Sequence, residues 1–381
     1  METRLFRNKE KISLLGFGTM RLPRISEDTQ EIDRKAGQEM VDYAIAHGVN
    51  YFDTAYMYHE GESEIFIGEA LSKYPRGSFF LATKMPPWKI EKPEDSDRIF
   101  NEQLQKCQVD YFDFYLIHNI NREHLKDAEK QDVYAFLKQK KAEGKIKYLG
   151  FSFHDEPDLL EKVIEQYEWD FVQIQFNYLD WTIQKAKQQY EILAAKKIPV
   201  IVMEPVRGGS LAALSEKARE ILKAEDPDAS IASWAIRFAA SFPNVLTVLS
   251  GMSNMEQVKD NVQTIEKFKP LSEEEYQTIE KAVKIYQSSF KIPCTYCRYC
   301  MECPSGVHIP KVFDKYNQYF ARGDSDKSRF LAEYRQIGEN RRAHNCTQCG
   351  ICLPKCPQGI NIPEKMTEIA AFAAEKQIFQ L

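Results

Sequence analysis

The sequence lacks any long hydrophobic run, which argues against a membrane-spanning helix of about 20 consecutive apolar residues. Its first residues, METRLFRNKEKISLLGFG, contain no apolar stretch of the kind that secretory signal peptides carry. An excess of positive charge is also missing: the net charge is −5, and no basic arm predicts nucleic-acid binding. We therefore expect a cytoplasmic protein with no membrane or nucleic-acid partner.

Dispersed cysteines are missing as well. Eight of the nine cysteines lie in two short runs near the end of the chain, and only Cys107 stands apart. Disulfides prefer dispersed partners in oxidising compartments, so the clustering predicts reduced thiolates that bind metal. We expect Cys107 to be an ordinary buried residue.

The first three quarters of the chain alternate short apolar runs with segments of helical period. Eight such runs are present: LLGFG, YFD, FFLAT, FDFYLI, KYLGF, FVQI, PVIVM and VLTVL. Eight strand–helix units favour an α/β fold, the closed (β/α)8 TIM barrel. An open, doubly wound sheet is the competing architecture, because alternation alone does not close a sheet. The segment RLFRNKEKI, before the first barrel strand, is expected to form a hairpin or plug.

The composition changes near residue 288, where cysteines, prolines and short helical segments begin. We predict a barrel domain over residues 1–288 and a small, mostly helical metal-binding domain over residues 289–381. The tail contains an internal repeat, since CPSGVHIP at 303–310 and CPQGINIP at 356–363 agree at five of eight positions. Two related halves predict two equivalent sites.

Four ionisable side chains are predicted at one rim of the barrel. Asp53, Lys84 and His118 stand at or after the ends of consecutive strands, and Tyr58 follows Asp53 in the next loop. The C-terminal strand ends are where such barrels place their active sites. A buried lysine beside a tyrosine favours the phenolate, and an aspartate keeps that lysine charged. The set predicts a phenol that gives up a proton near neutral pH.

These residues belong to motifs that resemble the aldo-keto reductase family over about residues 10–265. The matching motifs are GFGTMRLP, YFDTAYMYHEGESE, FLATK, DFYLIH, GKIKYLGFS and VQIQFNYLD. The resemblance implies that Asp53, Tyr58, Lys84 and His118 form a catalytic tetrad, with Tyr58 as general acid. It also implies hydride transfer from C4 of NAD(P)H to a small carbonyl substrate. The absence of a convincing GxGxxG motif agrees with a family that binds its nucleotide without a Rossmann fold.

The resemblance also implies a set of cofactor-binding residues. Gly18, Thr19 and Met20 match the first loop, Ser152 and Gln173 match the positions that hold the carboxamide, and Asn261 matches an adenine contact. Met203 takes the place of the aromatic residue that often stacks on the nicotinamide, and a thioether also packs on a ring face.

Other positions depart from the family pattern. Where many members have Ser-Asn after the fifth barrel strand, this chain has SFH, which makes His154 a substitute. The places of the Lys and Arg that clamp an NADP 2′-phosphate fall on Gly251 and Gln257. Since a phosphate dianion binds poorly without a cation, the nucleotide prediction favours NAD slightly. Arg207, in PVRGGS, is an alternative clamp.

The cysteine runs predict iron–sulfur clusters. Residues 346–357 have the spacing C-x2-C-x2-C-x3-C-P of bacterial ferredoxins, in which the fourth cysteine binds the other cluster. Residues 294–304 are one residue shorter before the last cysteine, so one cluster rather than two is an alternative. Zinc, which usually takes two separated cysteine pairs, is the less favoured metal. The predicted ligand sets are Cys294, Cys297, Cys300 and Cys356 for one [4Fe–4S] cluster, and Cys303, Cys346, Cys349 and Cys352 for the other.

The combination leaves three functional hypotheses open. In the first, the barrel reduces carbonyls and the clusters are an electron port for a ferredoxin- or flavodoxin-like partner. In the second, the clusters only brace the tail, as structural metals do. In the third, the chain is an electron-transfer or binding protein with an inactive barrel, against which the complete tetrad argues. Trp88, Trp181 and Phe153 are candidates for an apolar substrate wall, with simple packing as the alternative.

Overall fold

The structure, a computed structural model, describes residues 1–26, 29–289, 291–322 and 327–374. Eight parallel strands close into a barrel in the order β10-β3-β4-β5-β6-β7-β8-β9. The strands are β3 Leu15–Gly18, β4 Tyr51–Asp53, β5 Phe80–Met85, β6 Phe112–Ile120, β7 Ile146–Phe153, β8 Phe171–Gln175, β9 Val200–Met203 and β10 Val245–Gly251. The predicted TIM barrel is confirmed, and the open sheet is excluded because β10 pairs with β3.

Helices surround the barrel and build the C-terminal region. They are α1 Arg34–Ala46, α2 Glu62–Leu71, α3 Pro93–Cys107, α4 Arg122–Lys130, α5 Val133–Ala142, α6 Pro157–Gln166, α7 Asp180–Ile183, α8 Ala186–Ala195, α9 Glu216–Glu225, α10 Ile231–Ala240, α11 Met255–Glu266, α12 Glu273–Ser289, α13 Ile309–Arg322, α14 Lys327–Arg335 and α15 Ile362–Ala374. Among the described residues, no helix combines the length and the apolar character that crossing a membrane requires.

The segment before the first barrel strand forms the expected hairpin. Strands β1, Thr3–Phe6, and β2, Glu10–Ser13, pair antiparallel. Phe6 and Ile12 are buried in the same core cluster as the barrel residue Phe114. The Phe6 and Phe114 ring centroids are 5.4 Å apart. The hairpin therefore closes one end of the barrel and leaves the C-terminal strand ends as the open rim.

Strand register aligns the residues at that rim. Gly18, the last residue of β3, pairs with Asp53, the last residue of β4, and Gly251 of β10 pairs with Gly18. Ser152 of β7 likewise pairs with Gln173 of β8. Residues far apart in sequence thus become neighbours around one circle.

The described chain divides into two compact units, residues 1–206 with 232–272, and residues 207–231 with 273–381. The second unit has its own core, in which Phe330, Tyr334, Ile362 and Met366 are buried. This division runs through the loop after β9, whereas the sequence predicted one boundary at residue 288, and that boundary stays a prediction.

Candidate active site

The four ionisable residues predicted at the rim lie on three adjacent strands and on the turn that follows the first of these strands. Asp53 ends β4, Lys84 lies in β5 and His118 lies in β6. Tyr58 begins a single 3-10 turn, Tyr58–Gly61, that follows β4. Because β4, β5 and β6 pair in parallel, their C-terminal ends bring these side chains to one place.

The Asp53 and Lys84 side chains form a buried ion pair. Lys84 Nζ donates to Asp53 Oδ1 at 2.6 Å and to the Thr54 carbonyl at 2.6 Å. The two residues are 3% and 1% exposed. Burial raises the pKa of the Asp53 carboxyl and lowers the pKa of the Lys84 ammonium, while their mutual attraction opposes both changes. The pair fixes the position of Lys84 on the barrel side of Tyr58.

Tyr58 lies close to both the lysine and the histidine. Lys84 Nζ lies 5.0 Å from the Tyr58 ring centroid. The Tyr58 and His118 ring centroids are 6.1 Å apart and the rings meet edge to face, at 83°. The structure therefore brings all four predicted residues together, with a cation beside the phenol.

The turn that carries Tyr58 has an unusual backbone. His59, Glu60 and Gly61 follow one another with φ of 50°, 58° and 96°. Only glycine adopts such angles without cost, so two non-glycine residues there store strain. His59 Nδ1 donates to the Gln30 carbonyl at 2.9 Å, which holds the turn.

Three histidines and a tryptophan surround the Tyr58 site. The Trp88 ring centroid lies 5.2 Å from that of His118 and 4.5 Å from that of His124. Burial, followed by the charge of Lys84 and the neighbouring histidines, lowers the pKa of His118 well below its ordinary range. Burial likewise lowers the pKa of the partly buried His154 to about 3. Burial thus favours the neutral imidazole of His118, which can donate a hydrogen bond but carries no charge.

Of the three candidate aromatic residues, Trp88 is the one whose ring lies beside His118. The Trp181 ring packs among other aromatic rings, 4.9 Å from Phe242 and 5.3 Å from Phe176. Phe153 is 1% exposed. Trp181 therefore packs within an aromatic cluster and Phe153 is buried, and a substrate contact by either residue stays a prediction.

A second buried carboxylate, Glu64, lies behind Lys84. Glu64 Oε1 accepts hydrogen bonds from Thr83 Oγ1 at 2.6 Å and Gln103 Nε2 at 2.7 Å. Gln103 Nε2 also donates to the Lys84 carbonyl at 3.0 Å. Within the described chain, Glu64 Oε2 has no hydrogen-bond partner. Burial raises the pKa of Glu64, and the attraction between Glu64 and Lys84 favours the charged form of both.

Sequence analysis missed Glu64, although a signal existed. In α2 the residue falls on the buried face that also contains Ile67 and Leu71. An acidic residue at an apolar helical position needs a buried partner, which is the signal that could have found it.

The two cysteine runs fold into loops with equivalent backbones. Tyr296 and Gln348, each two residues after the first cysteine of a run, have φ of 58° and 57°. Arg298 and Gly350, each just after the second cysteine, have φ of 67° and 76°. Such alternation of left-handed residues is typical of backbone concavities that bind anionic groups, including iron–sulfur clusters. The internal repeat of the sequence is therefore also a repeat of conformation.

The thiols fall into two groups. Burial raises the pKa of the Cys300 thiol, and the neighbouring thiols raise it further, in the order Cys297, Cys294, Cys356 and Cys352.

Burial also raises the pKa of the Cys352 thiol, and the neighbouring thiols Cys346, Cys303 and Cys349 raise it further. These last four cysteines also line one small cavity, together with Cys300. These neighbours agree with the predicted ligand sets, which stay a prediction.

The described residues provide no group of three or more His, Cys, Asp or Glu side chains that could hold a metal ion. A structural zinc needs four ligands around one point. The fit of the cysteines to clusters rests instead on the two thiol groups, their left-handed loops and the shared cavity.

Comparison with known proteins supports the division between barrel and tail. Residues 14–284 match the aldo/keto reductase family model, and residues 293–361 match the 4Fe-4S dicluster domain model. The chain belongs to the aldo/keto reductase family. It carries a 4Fe-4S dicluster domain at its C-terminal end.

Individual relatives match most of the barrel. The NADH-specific methylglyoxal reductase of Escherichia coli is 25% identical over 66% of this chain and 89% of its own. The L-galactose dehydrogenase of Arabidopsis thaliana is 24% identical over 78% of this chain and 95% of its own. Among solved structures, the holo form of aldo-keto reductase AKR11C1 from Bacillus halodurans is 27% identical, with a TM-score of 0.62, and covers 74% of this chain and 96% of its own.

Ser152 and Gln173, the two residues predicted to hold the nicotinamide carboxamide, lie on the neighbouring strands β7 and β8. The Asn119 N–H donates to Ser152 Oγ at 2.8 Å, and Ser152 pairs in register with Gln173. Gln173 Nε2 lies 3.6 Å from the Met203 sulfur. Gln173 Oε1 and Asn119 Oδ1 are buried and have no hydrogen-bond partner among the described residues. A carboxamide, which offers both a donor and an acceptor, fits these oxygens and the Ser152 hydroxyl.

Asn119 is a second residue that sequence analysis missed. It follows His118 and has φ of 57°, an angle that asparagine tolerates better than most residues. The predicted strand ended at Ile117, whereas β6 continues to Ile120.

The remaining predicted cofactor residues of the barrel lie near the ends of β3 and β10. Thr19 Oγ1 donates to the Asp53 carbonyl at 3.0 Å, and Met20 follows it in a 3-10 turn. Asn261 Nδ2 donates to Ser250 Oγ at 2.8 Å. Gln257 Oε1 accepts from the Ser253 N–H at 2.8 Å, so this side chain caps the start of α11.

Gly251 leaves room for an arginine. A Cβ added there would lie 3.2 Å from the Arg21 side chain. Arg21 also pairs with Glu204, at 2.9 Å. The aliphatic part of the Arg21 side chain thus lies over Gly251, a position where the family resemblance led us to expect no cationic clamp.

Arg207 belongs to the second compact unit. Its side chain is fully buried and donates from a guanidinium nitrogen to the Pro293 carbonyl at 3.3 Å. Pro293 directly precedes Cys294. The structure therefore ties Arg207 to the first cysteine loop, and its role as a phosphate clamp stays a prediction.

Proposed function

We propose that the barrel is an NAD(P)H-dependent reductase of a small carbonyl compound. The observation that carries this proposal is the buried Asp53–Lys84 pair, with 2.6 Å between Lys84 Nζ and Asp53 Oδ1. The ammonium lies beside the Tyr58 ring, which His118 also contacts. The complete set argues against an inactive barrel.

The cofactor supplies the reducing equivalent: a reduced nicotinamide, when bound, delivers a hydride from C4. Ser152, Gln173 and Asn119 would hold its carboxamide, because they present a hydroxyl and two unpartnered oxygens in one row. Met203, next to Gln173, would pack against the ring face.

Tyr58 would deliver the proton. Its Oη gives a proton to the substrate oxygen as negative charge develops there, and the Lys84 cation stabilises the phenolate that remains. Neutral His118 would donate a hydrogen bond to the same oxygen and so orient the carbonyl. Trp88, beside His118, supplies an apolar wall for the rest of a small substrate.

NAD is slightly favoured over NADP. Gly251 and Gln257 supply no cation of their own for a 2′-phosphate, and Gln257 is engaged with Ser253. The neighbouring Arg21 is paired with Glu204 at 2.9 Å, which offsets its charge. The similarity to the NADH-specific methylglyoxal reductase of E. coli supports the same nucleotide and a small carbonyl substrate.

The dicluster domain would act as an electron port. A [4Fe–4S] cluster, when bound, exchanges one electron at a time. Cys294, Cys297, Cys300 and Cys356 would hold one cluster. Cys303, Cys346, Cys349 and Cys352 would hold the other. Thiolate ligands need a reducing compartment, so we propose the cytoplasm.

Anaerobically purified protein tests the proposal. Nucleotide oxidation is followed with methylglyoxal as probe carbonyl and with NADH or NADPH, and iron is determined on the same sample. We expect turnover that is faster with NADH and about eight iron atoms per chain. No oxidation of either nucleotide with methylglyoxal or a set of other small aldehydes would contradict the barrel assignment, and zinc in place of iron would contradict the port.

A further inference from the structure

The two cysteine loops share a sequence repeat and a backbone but differ in exposure. In the first loop Thr295 is 1% and Cys300 9% exposed. In the second loop Cys349, Ile351 and Leu353 are all exposed. The pseudo-symmetry of the domain is therefore broken at its surface, and the second loop is the one that outside molecules can reach.

Exposed aliphatic side chains concentrate at this loop. Ile351 is 47% and Leu353 42% exposed, and they flank Cys352. They are two of the five large hydrophobic residues that are exposed in the described part of the chain. Exposed apolar groups rimmed by polar ones mark surfaces that another protein covers.

The same region is basic in an acidic protein. Residues 335–356 contain four cations, Arg335, Arg341, Arg342 and Lys355, and one anion, Glu339, while the whole chain has a net charge of −5. Lys355 is exposed and forms no ion pair within the described chain. Arg342 donates to the carbonyls of Ile337 and Arg335, neither of which cancels its charge. The positive charges of Lys355 and Arg342 are thus available to a negatively charged partner.

We propose that the port face, defined as Cys349, Ile351, Leu353 and Lys355, docks an acidic one-electron carrier protein of the ferredoxin or flavodoxin kind. The proposal rests on the proposed function, in which the clusters exchange electrons. One electron passes between the cluster held by the second loop and the carrier, and no bond forms or breaks in either protein. Apolar contact at the centre excludes water, while the basic rim steers the carrier.

Rapid mixing tests the port face apart from the barrel chemistry. Photoreduced protein is mixed with oxidised flavodoxin, which is acidic, or with cytochrome c, which is basic, and the bimolecular rate constant is measured at low and high salt. Lys355→Glu should slow flavodoxin reduction about tenfold at low salt and speed cytochrome c reduction, because steering depends on charge. Leu353→Ser should slow flavodoxin reduction at both salt concentrations.

The control variant is Lys9→Glu, an exposed lysine in the β1–β2 hairpin, which should change neither rate. Carbodiimide cross-linking should also join Lys355 to a flavodoxin carboxylate, as read by mass spectrometry.

The outcomes separate two failures. If methyl viologen, a small dye, exchanges electrons normally while Lys355→Glu leaves flavodoxin unaffected or changes both acceptors alike, the port face is wrong and the electron port stands. If neither methyl viologen nor flavodoxin exchanges electrons with the protein, the port face and the electron port are both wrong. A cross-link from Lys355 to a second copy of this chain would overturn the proposal in favour of self-association.

Discussion

Lys84 Nζ lies 2.6 Å from Asp53 Oδ1, and both side chains are almost completely buried. A buried charge is tolerated only when an opposite charge and hydrogen bonds compensate its loss of water. The pair is therefore both a structural element and the support of the proposed proton donor, since its cation also faces Tyr58.

Removing one charge of this pair should destabilise the barrel strongly. We expect Asp53→Asn to cost about 3–5 kcal/mol, because the Lys84 cation is left buried without its partner. The double variant Asp53→Asn with Lys84→Met should recover part of that loss. All four tryptophans lie between residues 88 and 234, so the urea midpoint from their fluorescence reports on the first compact unit.

The control for this prediction is the exposed pair of Lys138 and Glu168. Glu168→Gln should cost less than about 1 kcal/mol. Equal effects of the buried and the exposed substitution would contradict the buried-pair account.

The Glu64 carboxylate should help to keep the Lys84 ammonium charged. With Glu64→Gln, Lys84 loses an attractive charge, its pKa falls, and the alkaline limb of the kcat/KM profile should move to lower pH. Glu69→Gln, on the exposed face of the same helix, is the matched control. An unchanged profile would mean that Glu64 is neutral in the native state and takes no part in holding the charge.

Acid should destabilise the barrel through His154. Burial lowers the pKa of His154 from 6.5 to about 3 in the folded state. Between these pH values the unfolded chain binds a proton at His154 and the folded chain does not. Stability is therefore lost as pH falls from about 6.5 towards 3.

His154→Asn, which cannot take up that proton, should recover about 1–2 kcal/mol at pH 4.5 relative to the native protein, and nothing at pH 8. The tryptophan-detected urea midpoint measures this, with exposed His344→Asn as control. The same recovery at both pH values would rule out a protonation effect.

We predict that the last cysteine of each run binds the cluster held by the other run. The number of iron atoms per chain in cysteine variants tests this ligand assignment. If Cys294 and Cys356 bind one cluster, the double variant Cys294→Ser with Cys356→Ser should keep about four of eight irons. Cys294→Ser with Cys303→Ser should then lose both clusters. The reverse result would show that each run binds its own cluster.

Much of the fold was predictable because it depends on local patterns. The run YFD coincides with β4, and the hairpin RLFRNKEKI was found where expected. The end of β6 was not predictable from apolar runs, because the strand continues through the polar residues His118 and Asn119.

Residues whose roles depend on distant partners were harder to find. Glu64 receives its hydrogen bonds from residues 19 and 39 positions away. Arg207 meets Pro293, 86 positions later, so its sequence neighbours say nothing of that bond. The difference in exposure between the two cysteine loops is also not readable from the sequence repeat, since exposure depends on what packs around each loop.

The most direct test of the central claim compares two tyrosines that are two residues apart. Tyr58→Phe removes the proposed proton donor, whereas Tyr56→Phe removes a hydroxyl that donates to Glu102. Single-turnover reduction of methylglyoxal by bound NADH should slow about 10²- to 10⁴-fold in Tyr58→Phe and hardly at all in Tyr56→Phe, with nucleotide affinity unchanged in both. Carbonyl reduction by Tyr58→Phe at the native rate would contradict the account.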